Sequence, residues 1–356
     1  MTNFLSPSGG SAQTSSNNKL GHVISAGVLV LLLIFAIIIA REYWSRHRFV
    51  VGLTVLGDHL QEKLSSAHFW ESRQPPKVTV VPTPPKPVRK ITIPDLSAHR
   101  LTAKHVFIKD NASGVMLFGK AAYEPWPFAS VTKLLSALVL LDIPVNLSTT
   151  TVAVNDKVFE TGIMSGVEYR TGDLWQAALI ASSNRALLTL VDSTGITRDD
   201  FVARMNAKAL ELGMTNTIVF EPTGLDPRNV GTAADSALLI SEALRKPLIR
   251  ETVVRKEYTF NGVDGKNMTK IHNTNWLVLG IIPSRSLILR GGKTGSIPES
   301  EYNFVFEAEN ERGHLIDVVV LGSQTNESRF AEGRDVALWA FDAYSWGDEG
   351  TSSTKK

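Results

Sequence analysis

Three short motifs carry the residue types from which a nucleophilic site is built: Ser130-Val131-Thr132-Lys133, Ser182-Ser183-Asn184 and Lys293-Thr294-Gly295. Spacing alone is weak, because Ser-x-x-Lys also occurs at Ser16–Lys19, Ser352–Lys355 and Ser353–Lys356, in tails that hold no site. Only Ser130 opens a strongly apolar segment, and on a helix the three-residue step stacks Ser130 and Lys133 on one face within hydrogen-bonding reach. An ammonium in the first turn of a buried helix is disfavoured by desolvation and by the positive helix N-terminus. Both effects favour the neutral amine, which is the general base that a serine nucleophile without a histidine needs. Lys293 is a second cation that pushes the same way. Thr294 and Gly295 suit a sheet edge where side chains face a cleft and a ligand approaches the backbone. Ser182 offers a hydroxyl for proton relay, and Asn184 an amide to hold a substrate carbonyl. Motif by motif, plain alternatives stand: Ser130 as a helix cap with Lys133 reaching solvent, and Ser182 and Asn184 as ordinary helix-linking residues.

Composition narrows the field. The 356 residues contain no cysteine, which removes disulfides, thiolate nucleophiles and cysteine-ligated metal centres. Thirty-seven Lys and Arg against 35 Asp and Glu leave a net charge of only +2, too balanced for nucleic acid as the main partner. Hydrophobic residues at 43% exclude a wholly disordered chain.

The elements that must position the motifs follow from pattern. HVFIKDNASGVMLFGK reads as a hairpin turning at Asp110–Gly114, and SVTKLLSALVLLD as a central buried helix. LWQAALIASSNRALLTLVDSTG reads as two helices interrupted at Ser182-Ser183-Asn184. DDFVARMNAKALELG is amphipathic, with Phe201, Met205, Ala209 and Leu212 on one face and Gly213 as a left-handed cap. SLILR, EYNFVFEAE and LIDVVVLG read as strands, the middle one alternating Tyr302, Phe304 and Phe306 against Asn303, Val305 and Glu307; DVALWAFDAY is a final helix. A hairpin, then helices, then consecutive strands describe an α+β fold, helices packed on a mainly antiparallel sheet.

The domain so defined spans residues 98–346, between a polar tail at 347–356 and a long N-terminal region. Residues 1–20 are too poor in apolar side chains to bury anything, and 21–41 hold an 18-residue uncharged run, Val23–Ala40, long enough for a transmembrane anchor. Residues 42–97 form a stalk: Val51, Val55, Leu56, Leu60 and Leu64 recur with helical spacing, then six prolines between residues 75 and 90 make a semi-rigid spacer. Arg41, Arg46 and Arg48 follow the anchor, while Lys19 alone precedes it, so the positive-inside tendency puts the domain in the cytoplasm.

In order, spacing and flanks, residues 103–344 resemble the serine-type D-alanyl-D-alanine carboxypeptidases, the low-molecular-mass penicillin-binding proteins, whose signature is Ser-x-x-Lys, Ser-Asp-Asn and Lys-Thr-Gly, with Ser182-Ser183-Asn184 at the second motif here. FASVTKLLSALV, LWQAALIASSNRALLTL, FVARMNAKALELGMTNTIVFEPTGLD, HNTNWL and VVLGSQTNESRF carry the likeness. The resemblance implies the transpeptidase fold of that family, and a DD-carboxypeptidase that removes the terminal D-Ala of peptidoglycan stem peptides. Ser130 would be the nucleophile, Lys133 its base, Ser182 the proton relay, Asn184 the residue orienting acyl group and base, and Lys293 the fifth catalytic residue. Lys293, Thr294, Gly295, Ser296 and Arg329 would bind substrate, with the backbone N–H groups of Ser130 and Ser296 as oxyanion hole. β-Lactams would acylate Ser130; no metal or cofactor is implied. Peptidoglycan lies outside the membrane, so the resemblance overrules the arginine count and makes the domain extracytoplasmic on a single-pass anchor. The chain departs from the family at Ser296-Ile297-Pro298-Glu299-Ser300-Glu301, where an aromatic or basic residue, a Thr and an Ala-Gly pair are usual. Rival readings are a DD-endopeptidase using the same residues, a class A β-lactamase, which would need a water-activating carboxylate where Glu211 and Glu221 follow the second motif but neither has a setting that matches the role, and a catalytically idle wall-binding protein.

Overall fold

The computed structural model describes residues 84–93, 96, 101–143, 145–158 and 162–347. They fall within one compact unit, Pro82–Lys356. The anchor expected at 21–41, the amphipathic stretch after it and the terminal tails, Gly347 aside, lie outside the described residues. Among those described, no helix is long and apolar enough to cross a membrane.

A five-stranded antiparallel sheet divides the unit. The first hairpin supplies β1 (His105–Asp110) and β2 (Met116–Lys120); the C-terminal strands are β3 (Ile288–Ile297), β4 (Glu301–Glu309) and β5 (Leu315–Ser323). Their order is β3-β4-β5-β1-β2, so β3 is an edge. Period-two alternation sends Val106, Ile108, Phe304, Phe306, Val318 and Val320 to one face, and Phe107, Val305 and Val319 to the other. The C-terminal helix, α6 (Asn326–Ala343), covers the first face through Phe330, Val336, Ala337 and Ala340. It begins well before the expected Asp335, because Thr325 and Ser328 form a capping box.

The second face carries the helical layer: α1 (Thr132–Asp142), α2 (Thr171–Ile180), α3 (Asn184–Ser193), α4 (Arg198–Glu211) and α5 (Ala233–Arg245). Every residue of α1 from Thr132 to Leu140 is buried, as its unbroken apolar run requires. Phe201, Met205 and Ala209 of α4 are buried, Leu212 packs at their side, and Gly213 closes the helix at φ 80°. The layered α+β architecture read from the sequence is the one observed.

Two details differ from the sequence reading. β3 does not stop before Lys293-Thr294-Gly295 but runs through it, bulging between Leu289 and Gly291, and the bare Gly292 lets Phe306 and the Val305 carbonyl come close. Contacts of the unit also begin ahead of residue 98: Val88–Arg89 pairs with Tyr344–Ser345, and Leu96 is buried at 1% exposure in the core beneath α6.

Candidate active site

Ser130 sits in a single 3-10 turn, Ala129–Val131, that leads into α1. The turn is entered through Ala129 at φ 47°, a left-handed conformation that costs a non-glycine residue on the order of 1–3 kcal/mol. Two glycines from distant segments hold it. At Gly224, with φ 87°, a Cβ would stand 1.8 Å from the Ala129 carbonyl oxygen; at Gly295 it would stand 2.7 Å from the Phe128 oxygen and 3.1 Å from Ser130 N. Asn303 of β4, paired with Gly295, donates its amide to the Pro127 and Phe128 carbonyls at 2.8 and 3.2 Å. The nucleophile turn is thus clamped to the edge of the sheet.

Lys133, one turn on, is wholly buried. Its Nζ lies 2.8 Å from Ser130 Oγ and donates to Asn184 Oδ1 at 2.6 Å and to the Thr223 carbonyl at 2.7 Å. Asn184 is delivered by the turn between α2 and α3. Ser182 there takes φ 61°, and Ser183 caps α3 by accepting from Ala186 N at 3.0 Å.

Lys293, also buried, donates from Nζ to Ser182 Oγ at 2.8 Å and to the Thr294 carbonyl at 3.0 Å. Burial, then the positive charges of Lys133 and Arg329, holds the Lys293 amine well below the usual lysine range. Thr294 Oγ1 lies 2.6 Å from Thr274 Oγ1, which sequence reading had not singled out. Ser296 follows, exposed, and Glu301 closes the short turn to β4 at φ 51°, its carboxylate 2.8 Å from Lys104 Nζ.

Arg329 stands behind β3. Its guanidinium donates to the Gly295 and Asn303 carbonyls at 3.0 and 3.2 Å and to Asn326 Oδ1, and burial pushes its pKa down to about 10. That placement supports the strand rather than presenting a free cation to the cleft. The carboxylates weighed for a β-lactamase are also accounted for. Glu211 pairs with Lys208 on the surface, and Glu221 accepts from Thr223, Gly224, Asp226 and Asn229 within its own loop. Among the described residues no three His, Cys, Asp or Glu side chains converge as a metal site requires.

A serine bonded to a buried lysine at the start of a buried helix, its turn clamped against a Lys-Thr-Gly edge strand, defines a serine-type acyl-transfer enzyme of the penicillin-binding class. Sequence comparison takes the assignment further: residues 92–325 match the D-alanyl-D-alanine carboxypeptidase family, and the chain belongs to it. The D-alanyl-D-alanine endopeptidase of Pseudomonas aeruginosa is 29% identical over 244 residues, 67% of this chain and 77% of that protein. The D-alanyl-D-alanine carboxypeptidase DacC of Escherichia coli is 30% identical over 263 residues, 69% of this chain and 63% of its own length. Among solved structures, a D-alanyl-D-alanine carboxypeptidase of Mycobacterium tuberculosis superposes with TM-score 0.60 at 28% identity, covering 76% of this chain and 98% of that one. A Listeria monocytogenes penicillin-binding protein, solved with cefotaxime bound, does so with TM-score 0.60 at 28% identity, covering 70% and 99%.

Proposed function

We propose that the domain is a DD-carboxypeptidase of peptidoglycan stem peptides, acting through an acyl-enzyme on Ser130. The observation that carries this is the convergence of Ser130 Oγ, Asn184 Oδ1 and the Thr223 carbonyl on the one buried Nζ of Lys133. A neutral amine has two N–H bonds and one lone pair. In the neutral amine that serves as base, Asn184 Oδ1 and the Thr223 carbonyl accept the two N–H bonds and the lone pair faces the Ser130 hydroxyl. Burial weighs against an ammonium there.

Ser130 Oγ then attacks the penultimate D-Ala carbonyl while its proton passes to Lys133. The backbone N–H groups of Ser130 and Ser296 receive the oxyanion, and the tight contact of Gly295 against Ser130 N supports that pairing. The proton held by Lys133 then passes through the hydroxyl of Ser182, which is hydrogen-bonded to Lys293, to the departing D-Ala amine as the C–N bond breaks, so Lys133 returns to the neutral amine and Ser182 stays a hydroxyl. Water hydrolyses the Ser130 ester. Lys293 and Thr294 bind the terminal carboxylate, whose charge restores the Lys293 ammonium; Gly295, bare of a side chain, lets the nucleophile turn sit close to this strand. Arg329 acts from behind, through the Gly295 carbonyl.

Intact-mass measurement after exposure to benzylpenicillin tests the reading. One covalent adduct is expected, absent in Ser130→Ala; an unmodified wild-type protein would reject it. The DD-endopeptidase reading is favoured by the Pseudomonas aeruginosa relative's activity, and pentapeptide against cross-linked muropeptides separates the two. Rapid drug turnover would point instead to a β-lactamase, for which the occupied carboxylate of Glu221 offers no general base. The extracytoplasmic, membrane-anchored location is supported by the uncharged run Val23–Ala40 and by where peptidoglycan lies.

A further inference from the structure

Of the acceptors that orient Lys133, Asn184 is fixed by a capped helix end, whereas Thr223 belongs to an irregular segment between α4 and α5. A peptide carbonyl in such a segment points at a given atom only if its plane is held. The holder here is the side chain of Glu221. One carboxylate oxygen accepts from Thr223 N at 2.7 Å and Thr223 Oγ1 at 2.6 Å; the other accepts from Gly224 N, from Asn229 Nδ2 at 3.1 Å and from Asp226 N at 3.4 Å. The Gly224 N–H belongs to the same peptide plane as the Thr223 carbonyl, so fixing that N–H on the carboxylate aims the carbonyl the opposite way, at Lys133 Nζ.

The segment is tied to the nucleophile as well. Asn229, fully buried, donates to the Glu221 carbonyl at 2.8 Å and accepts from Phe220 N at 2.7 Å, while its own carbonyl accepts from Phe128 N at 2.8 Å, two residues ahead of Ser130. Gly224 meets the Ala129 carbonyl. Base and nucleophile are therefore registered against one loop, and one carboxylate organises it.

We propose that Glu221 is a positioning residue for the general base: it holds the Thr223 carbonyl on Lys133 and so directs the amine lone pair at Ser130. The inference rests on the Ser130–Lys133 reading above. A carboxylate is required, because its two oxygens accept on both sides; a glutamine in the same place turns an NH2 group towards N–H donors and loses one side.

The test is acylation kinetics of the full chain with benzylpenicillin, resolving the non-covalent binding constant from the acylation rate constant. Wild type, Glu221→Gln and Thr223→Val are compared, with active sites counted by the final adduct. The expected result for Glu221→Gln is a 10- to 100-fold lower acylation rate constant with binding within twofold. Thr223→Val, which keeps the carbonyl but loses one donor to the carboxylate, should fall between. A residue needed only for folding would reduce the number of active sites and leave the rate constant of the survivors unchanged, and that outcome overturns the proposal. A wild-type protein that is not acylated at all rejects the serine–lysine mechanism itself, whereas acylation at equal rates in all three rejects Glu221 alone.

Discussion

Lys133 and Lys293 share one buried site, and two ammonium groups cannot both be accommodated there cheaply. Coupling is reciprocal: the charge on Lys133 that lowers Lys293 is matched by a charge on Lys293 that opposes protonation of Lys133. Removing Lys293 lifts that opposition, so Lys133 takes up its proton at higher pH and ceases to be a base sooner as pH falls. In Lys293→Met the acid limb of the acylation-rate profile should therefore move to higher pH than in wild type. A limb that stays in place would show that the two amines do not interact. The side chains of this site were legible in the sequence because each has a distinctive type and a helical or strand context: Ser130, Lys133, Ser182, Asn184, Lys293 and Thr294 converge as the motifs suggested. What was not legible is what meets them from elsewhere. The Thr223 carbonyl, the Phe128 and Gly295 carbonyls and the glycine contacts are backbone features, which leave no signature in residue type. Asn303 was visible only as an ordinary polar residue, Glu221 only as a carboxylate weighed for a β-lactamase, and the backbone partners of Arg329, the Gly295 and Asn303 carbonyls, lie far from it in sequence.

The sheet shows the same contrast at the level of elements. Alternation located β4 and set Tyr302, Phe304 and Phe306 against Asn303, Val305 and Glu307, but it did not show that helices cover both faces, which leaves Glu307 only 8% exposed. Glu307 lies beside Asp317 of β5, which faces Lys109 of β1 and bonds its Nζ at 2.6 Å; Asn111 donates to both carboxylates and to Ser241 of α5. Burial, then the charge of Asp317, pushes the Glu307 pKa up to about 7, with Arg290, Lys109 and Arg250 opposing. The sign follows. An unfolded glutamate loses its proton near its ordinary value of about 4.3, while the folded state keeps it to about 7. In that window the native state binds the extra proton, so stability falls as pH rises and the loss is complete above about 7. Glu307→Gln removes this penalty. Its melting temperature relative to wild type should rise between pH 5 and pH 8, and a pH-independent difference would mean that Glu307 titrates like an exposed carboxylate.

For the whole molecule, composition divided the chain into an N-terminal anchor and stalk ahead of one catalytic domain, but it could not mark where the stalk joins the domain's packing. A proline-rich segment reads as spacer whether or not its end docks. Val88–Arg89 extends to Tyr344–Ser345 as a two-stranded clasp, Lys90 N donates to the Ala343 carbonyl at 2.8 Å, and the Arg89 guanidinium lies 5.5 Å from the Trp339 ring centre. Leu96 adds a side chain to the core under α6. Burying one leucine and making one cation–π contact together amount to about 2–4 kcal/mol. Two truncations separate anchoring from this clasp. On the proposed anchor, the full chain should stay in the membrane fraction against high salt, and a chain beginning at Pro82 should leave it while keeping its melting temperature and penicillin acylation. A chain beginning at Leu101 should lose about 2–4 kcal/mol of stability by denaturant titration, with the acylation rate of the folded fraction unchanged, because the clasp lies on the α6 side of the sheet and the nucleophile on the other. Salt-extractable full-length protein would reject the transmembrane anchor, and equal stability of the two truncations would show that the clasp adds nothing to the fold.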